Sequence, residues 1–153
     1  MLTFITVACL VLAIPALFGV RWAYVLYILL GLSYFPVRVG FRFDPHPCEF
    51  IPTVSDAFLS LTNYGHIVRF ALFFAMSTAQ VKRGLRPTTP GFAFASVMGL
   101  TLGILVEVAE GVTGRGNCRL RDLIPDSVGM VIGALGVALW DATWRRMPMR
   151  RTT

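Results

Sequence analysis

Apolar residues fall along the chain in five long runs, at about 2–20, 22–39, 64–81, 91–112 and 123–144. Short stretches between them carry most of the charge. A bilayer's hydrocarbon core is about 30 Å thick, so a helix needs about 20 mostly apolar residues to cross it. The runs predict an all-α fold: a polytopic membrane helix bundle of about five transmembrane helices, forming one domain over 1–153. Only a turn at 19–21 separates the first two runs, which can also be read as one long segment bent around Pro15 and Arg21. That reading gives four spans, but nearly 40 residues at 1.5 Å each are too long for one crossing. Residues 1–20 also have the length of a cleaved signal peptide, without its basic start or a small-x-small cleavage site.

Inside the runs, the polar and small residues keep helical spacing. Gly99, Gly103 and Glu107 are four apart, and Glu110 lies three further along the same stripe. Asp122, Asp126, Gly129, Gly133 and Gly136 repeat the pattern at spacings of four, three, four and three. Small residues mark where membrane helices approach closely, so both acid pairs are expected to point into the bundle. His66 and Arg69 lie one turn inside the third run, at about the same depth as Glu107 and Glu110. A membrane charge normally faces a partner, so Arg69 is expected to pair with Glu107 or Glu110. Four close carboxylates also need compensating cations. Arg69, Arg115, Arg119 and Arg121 can supply that charge, as can a bound metal. Asp122 precedes the fifth run and is expected to cap it. Asp141 is expected to pair with Arg145, four residues on.

Two readings of this cluster stand side by side. One is a structural ion-pair network that sets how three helices pack. The other is an outward-facing polar pocket for a headgroup, a peptide or an ion. Taken singly, His66 reads as a hydrogen-bonded helix-end histidine, and Arg119 and Arg121 as solvated loop charges.

Composition supports the membrane class. Apolar residues make up 56% of the 153 and charged ones only 14%, less charge than a soluble domain exposes. The net charge of +6 does not signal nucleic-acid binding, because the basic residues sit in short blocks between apolar runs. Those blocks set the topology. With the N-terminus outside, the inner side holds eight: Arg21, Lys82, Arg83, Arg86, Arg145, Arg146, Arg150 and Arg151. The outer side holds five, Arg38, Arg42, Arg115, Arg119 and Arg121, offset by Asp44, Glu49, Asp56 and Asp122. The bias predicts a multi-pass protein of the cell inner membrane with a basic cytoplasmic tail at 145–153 and an outer loop at 40–63. Trp22, Tyr24, Tyr27, Trp140 and Trp144 suit interfacial aromatic belts.

Cys9 reads as an apolar filler in the first run. Cys48 and Cys118 fall in the two loops placed outside, an oxidising side in many cells. They can form a disulfide that clamps the long loop over the charged joint, or remain two free thiols. Their spacing matches no zinc motif, and nothing implies a metal or a cofactor. No nucleophile motif or phosphate loop is present.

The order of four stretches resembles a known family. They are "EFIP" (49–52), "NYGHIVRFALFF" (63–74), "VEVAEGVTGRG" (106–116) and "RDLIPDSVGMVIG" (121–133). Together they resemble the VanZ-like family of small bacterial membrane proteins across roughly 49–136. The resemblance places that family's acid on Glu107, its Gly-Arg on Gly114 and Arg115, its Asp on Asp122, and its last glycines on Gly129 and Gly133. Glu110 stands where the family has Gln, Asp126 where it has Asn, and Arg119 where an acid is common. The stretch from Arg115 to Asp122 is one residue longer than usual. The family takes its name from a protein that lowers susceptibility to the glycopeptide teicoplanin, so the resemblance implies a cell-envelope setting.

Three functions compete on this basis. The first is a non-enzymatic envelope protein whose outer pocket binds a lipid-linked or peptide headgroup, or a partner in the membrane. The second is an intramembrane enzyme acting on a lipid headgroup through clustered carboxylates and His66. The third, a transporter, is disfavoured by five spans without an inverted repeat. Membrane lipids are expected contacts, and the glycine stripes serve a homo-oligomer as readily as intrachain packing.

Overall fold

The computed structural model describes residues 2–49, 53–82, 84–114 and 118–146. Arg83, Arg115, the Phe-Ile-Pro of the first motif and the tail from 147 lie outside the described residues, as do the side chains of Lys82 and 144–146. The expected Asp141–Arg145 pair therefore falls outside as well. Among the described residues the chain is all-helical: α1 (Leu2–Leu17), α2 (Arg21–Arg38), α3 (Val54–Ser60), α4 (Tyr64–Lys82), α5 (Thr89–Thr113) and α6 (Leu123–Arg146). A single 3-10 turn, Leu120–Asp122, leads into α6.

The helix ends follow local chemistry. α1 stops where Phe18 and Gly19 turn back onto the carbonyls of Pro15 and Ala16, with Gly19 at a φ of 79°. This three-residue connection folds α1 and α2 into a hairpin. α5 opens at Thr88, whose hydroxyl accepts the Gly91 N–H at 3.2 Å, and Pro90 sits in the first turn, where a missing N–H breaks no helical bond. It closes at Gly114 in the left-handed conformation, φ 61°. There a side chain would strike the Asp44 carbonyl.

The five longer helices alternate in direction. Tyr24 and Tyr27 of α2 stack on Phe73 of α4, and the Tyr24 hydroxyl is 2.8 Å from Ser77, so α2 runs against α4. Gly91 of α5 lies by Thr78 and Gly103 by Phe70, which makes α5 antiparallel to α4. Gly129 of α6 rests on Ile67 and Gly133 on Ala71, so α6 runs parallel to α4. One apolar core joins the α1–α2 hairpin to α4 through Ala13, Ala16, Ala23, Tyr24, Phe73 and Met76. A second, of Phe70, Phe74, Ala95 and Met130, joins α4, α5 and α6. Gln80 ties the first group together by donating to the carbonyls of Ala16 (2.8 Å) and Met76 (3.0 Å).

α5 and α6 are long and apolar enough to cross a bilayer. The other three expected spans do not qualify by length and composition. α1 is apolar but has 16 residues, because the turn takes the end of the run. α2 is flanked by Arg21 and Arg38, and α4 carries His66, Arg69 and Gln80. The outward faces are nonetheless strongly apolar: Phe4 is 73% exposed, Val97 63% and Leu139 66%. Ser77, Thr78, Gln80, Glu107 and Asp126 are buried.

Of the glycine stripes, Gly99 faces Met130, Gly103 faces Asp126 and Leu123, and Gly129 and Gly133 lie directly on the α4 backbone. Gly136 departs from the expectation: a Cβ there would meet nothing within 4 Å. α6 has by then diverged from the contact line, since a helix of 3.6 residues per turn drifts off a strict four-three repeat.

Candidate functional site

At one end of the bundle, residues 43–49 run as an irregular strap across the C-terminal turns of α5. Their backbone groups find partners one by one. The His46 N–H donates to the Gly111 carbonyl at 2.9 Å. The Glu49 N–H donates to the Cys118 carbonyl (2.9 Å), and the Leu120 N–H returns to the Glu49 carbonyl (3.1 Å). This is an isolated parallel bridge between Glu49 and Arg119. Cys48 and Cys118 are joined in a disulfide across it, with Cα atoms 4.7 Å apart. The disulfide rests on Gly111, where a Cβ would sit 3.1 Å from the Cys48 sulfur.

Glu107 lies under this strap. It is 6% exposed, and its Oε2 accepts the backbone N–H of Arg119 at 2.6 Å. The residue after Cys118 therefore reads the carboxylate through its main chain, not its guanidinium. The Arg119 Nε lies 2.9 Å from Glu49 Oε2, but its N–H does not point along that line. We read the contact as charge pairing without a linear hydrogen bond. Arg121 Nη1 pairs with Asp56 Oδ1 at 2.9 Å.

Asp126 occupies the first turn of α6 and is 2% exposed. Its Oδ1 is 2.8 Å from His66 Nδ1, and the imidazole stacks on Phe70 one turn along α4, with centroids 6.4 Å apart. A proton on Nδ1 donated to the carboxylate leaves Nε2 as the second functional nitrogen. Gly103 makes room for the other oxygen, Oδ2, since a Cβ there would be 3.0 Å from it. Asp126 Oδ2 and Glu107 Oε1 are both buried without a hydrogen-bond partner among the described residues. Leaving such an acceptor dry and unpaired costs about 1–3 kcal/mol.

The predicted residues are thus brought together only in part. His66 meets Asp126 beside Gly103, and Glu107, one α5 turn on, meets the Arg119 backbone, with Glu110 half-buried one turn beyond Glu107. Arg69 does not pair with Glu107 or Glu110. It is exposed and makes no ion pair among the described residues, because Glu107 turns toward the Arg119 backbone. Asp122 does not cap α6: it closes the 3-10 turn, its N–H on the Arg119 carbonyl, and makes no side-chain hydrogen bond among the described residues. Arg115 lies outside the described residues.

Sequence reasoning missed Glu49 and Asp56 as partners of the arginines, and α3 altogether. α3 has only seven residues. A readable signal was present in Thr53-x-x-Asp56, a capping box. The Thr53 hydroxyl accepts the Asp56 N–H (3.2 Å), and Asp56 Oδ2 takes the Thr53 N–H (3.4 Å) and hydroxyl (2.7 Å). These bonds, helped by Arg121, hold the Asp56 carboxyl below its ordinary value of 3.8. No group of three or more His, Cys, Asp or Glu is arranged to hold a metal among the described residues. The chain matches no family model, no curated protein and no solved structure.

Proposed function

We propose that this chain is a non-enzymatic, VanZ-like protein of the cell inner membrane whose strapped polar end receives a headgroup or peptide-like ligand, or a membrane partner. In this reading α1, α2, α4, α5 and α6 are the five spans. The N-terminus lies outside, the C-terminus lies in the cytoplasm, and the strap faces out. The carrying observation is the pair of buried carboxylate oxygens, Glu107 Oε1 and Asp126 Oδ2, without hydrogen-bond partners among the described residues, in a chain whose outward faces are apolar. Apolar outward faces suit lipid tails, and polar groups kept inside suit a functional cluster. The disulfide supports the outward orientation, since such bonds persist on the oxidising side. The family resemblance adds a cell-envelope role, with glycopeptide susceptibility as its readout.

The experiment combines fractionation with a phenotype. The protein should stay in carbonate-washed membranes. Glu107→Ala should remove any envelope or teicoplanin phenotype of the gene while membrane levels stay normal. A collapse of protein level restricted to Glu107→Ala would instead make the cluster a packing device.

The His66–Asp126 contact favours a second reading, an intramembrane enzyme that works on a lipid headgroup with His66 as its base. Unchanged membrane lipid species after deletion of the gene would eliminate it.

A further inference from the structure

Arg69 is a charge at this end without an ion pair among the described residues. It sits in the second turn of α4, about 7.5 Å from the helix start at 1.5 Å per residue. Four of the acids at this end are engaged elsewhere. Glu107 accepts from the Arg119 backbone, Asp126 faces His66, Glu49 faces Arg119, and Asp56 faces Arg121. Arg69 itself is exposed and has no ion pair among the described residues.

Its surroundings leave it open toward the end of the bundle. Helical side chains lean toward the N-terminus, so Arg69 lies over the turn of Gly65 and His66. Gly65 offers no side chain there, and a Cβ on it would meet only Asn63 Oδ1, at 3.6 Å. His66 is turned inward to Asp126. Tyr64 and Val68 beside it are 71% and 65% exposed. Phe73, one turn further along α4, stacks on Tyr27 of α2.

We infer that Arg69 binds the phosphate of an acidic phospholipid beside the outer end of α4. The inference rests on reading α4 as a membrane span. An exposed guanidinium on a spanning helix must find an anion or reach water. About one and a half turns in from the helix end, an arginine's long stem snorkels to headgroup depth, where phosphate is the abundant anion. The guanidinium fork matches two phosphate oxygens at once, which an ammonium does not.

The test uses the full-length protein in mild detergent, stripped of lipid and titrated with phosphatidylglycerol, with bound lipid counted by native mass spectrometry. One saturable lipid is expected on the wild type. Arg69→Gln should weaken it at least tenfold, and Arg69→Lys should fall between. Inorganic phosphate at millimolar concentration should not displace the lipid. Equal lipid affinity in Arg69→Gln overturns the inference. So does an Arg69-dependent site that takes inorganic phosphate and not the lipid. If Arg69→Gln fails to fold, Arg69→Lys decides: affinity equal to wild type overturns the inference, and weaker binding with unchanged unfolding temperature supports it. Loss of the wild-type chain from carbonate-washed membranes would mark failure of the underlying membrane reading instead. A chain that stays embedded while Arg69→Gln keeps its lipid marks failure of this inference alone.

Discussion

Replacing Gly133 with Ala tests the most consequential packing contact in the fold. A Cβ at Gly133 would stand 2.5 Å from the Ala71 carbonyl oxygen, 2.9 Å from Phe74 Cβ and 3.1 Å from Ala71 Cα. The first and last of these are backbone atoms, so no rotamer change relieves them. Ordinary contacts begin near 3.5 Å, so α6 must retreat from α4 by about 1 Å, a gap that forfeits a quarter to a half of each dispersion well along the seam. Overpacking of this kind costs about 1–3 kcal/mol. Gly136→Ala is the internal control. It lies in the same helix and faces open space, so it should gain up to about 1 kcal/mol from helix propensity. For a chain of this size 1 kcal/mol corresponds to roughly 2–4 °C. Thermal unfolding in detergent should therefore place Gly133→Ala about 2–12 °C below wild type, and Gly136→Ala level with or above it. If Gly133→Ala unfolds with the control, α6 does not lie on α4 along this line. The parallel pairing that positions Asp126 against His66 then falls too.

Three further outcomes follow from the site. His66→Ala leaves both Asp126 oxygens without partners among the described residues and should cost about 2–3 kcal/mol. His66→Ala with Asp126→Leu should recover most of that loss, and equal instability of single and double variants in the same unfolding assay would refute the pairing. The depressed Asp56 carboxyl stabilises α3 fully above its ordinary value of 3.8, and that contribution is lost as pH falls through its lower folded value. NMR shifts of residues 54–60 should titrate in that acid window in wild type and not in Asp56→Asn. Under denaturing, non-reducing conditions a maleimide should label one thiol, Cys9, and after reduction three. Three labels without reduction would refute the Cys48–Cys118 bond.

The five long helices were legible because apolar runs and glycine spacing are local signals. The run at 91–112 became α5 (Thr89–Thr113), and the run at 64–81 became α4 (Tyr64–Lys82). The count of spans was less legible, because a run also absorbs the turn that ends its helix, as Phe18 and Gly19 do after α1. Burial of Glu107 and Asp126 was readable, since each continues a glycine stripe. Their partners were not. Charge complementarity pointed Arg69 at Glu107, but sequence does not reveal that a backbone N–H twelve residues away is closer to hand. Nor does it reveal that a strap residue, Glu49, occupies the Arg119 side chain, because that pairing depends on how the loop crosses α5.

The charges at this end therefore sort into two layers with different physics. Arg119–Glu49 and Arg121–Asp56 are partly exposed pairs, with the carboxylates 66% and 36% open. Such pairs contribute about 0–1 kcal/mol and yield easily to a competing ligand. Beneath them, Glu107 and Asp126 are bound to one backbone N–H and one imidazole, each with an oxygen that has no partner among the described residues. Arg119 links the layers, its side chain on the strap and its N–H on the buried acid. The disulfide closes a separation of 70 residues next to that link. By loop entropy alone it stabilises by roughly 4 kcal/mol. That outweighs both surface pairs together. The strap is thus held by its covalent bond, and its ion pairs are free to change partners without releasing it. A ligand that draws Arg119 toward itself would move the N–H that Glu107 depends on, coupling the surface layer to the buried one.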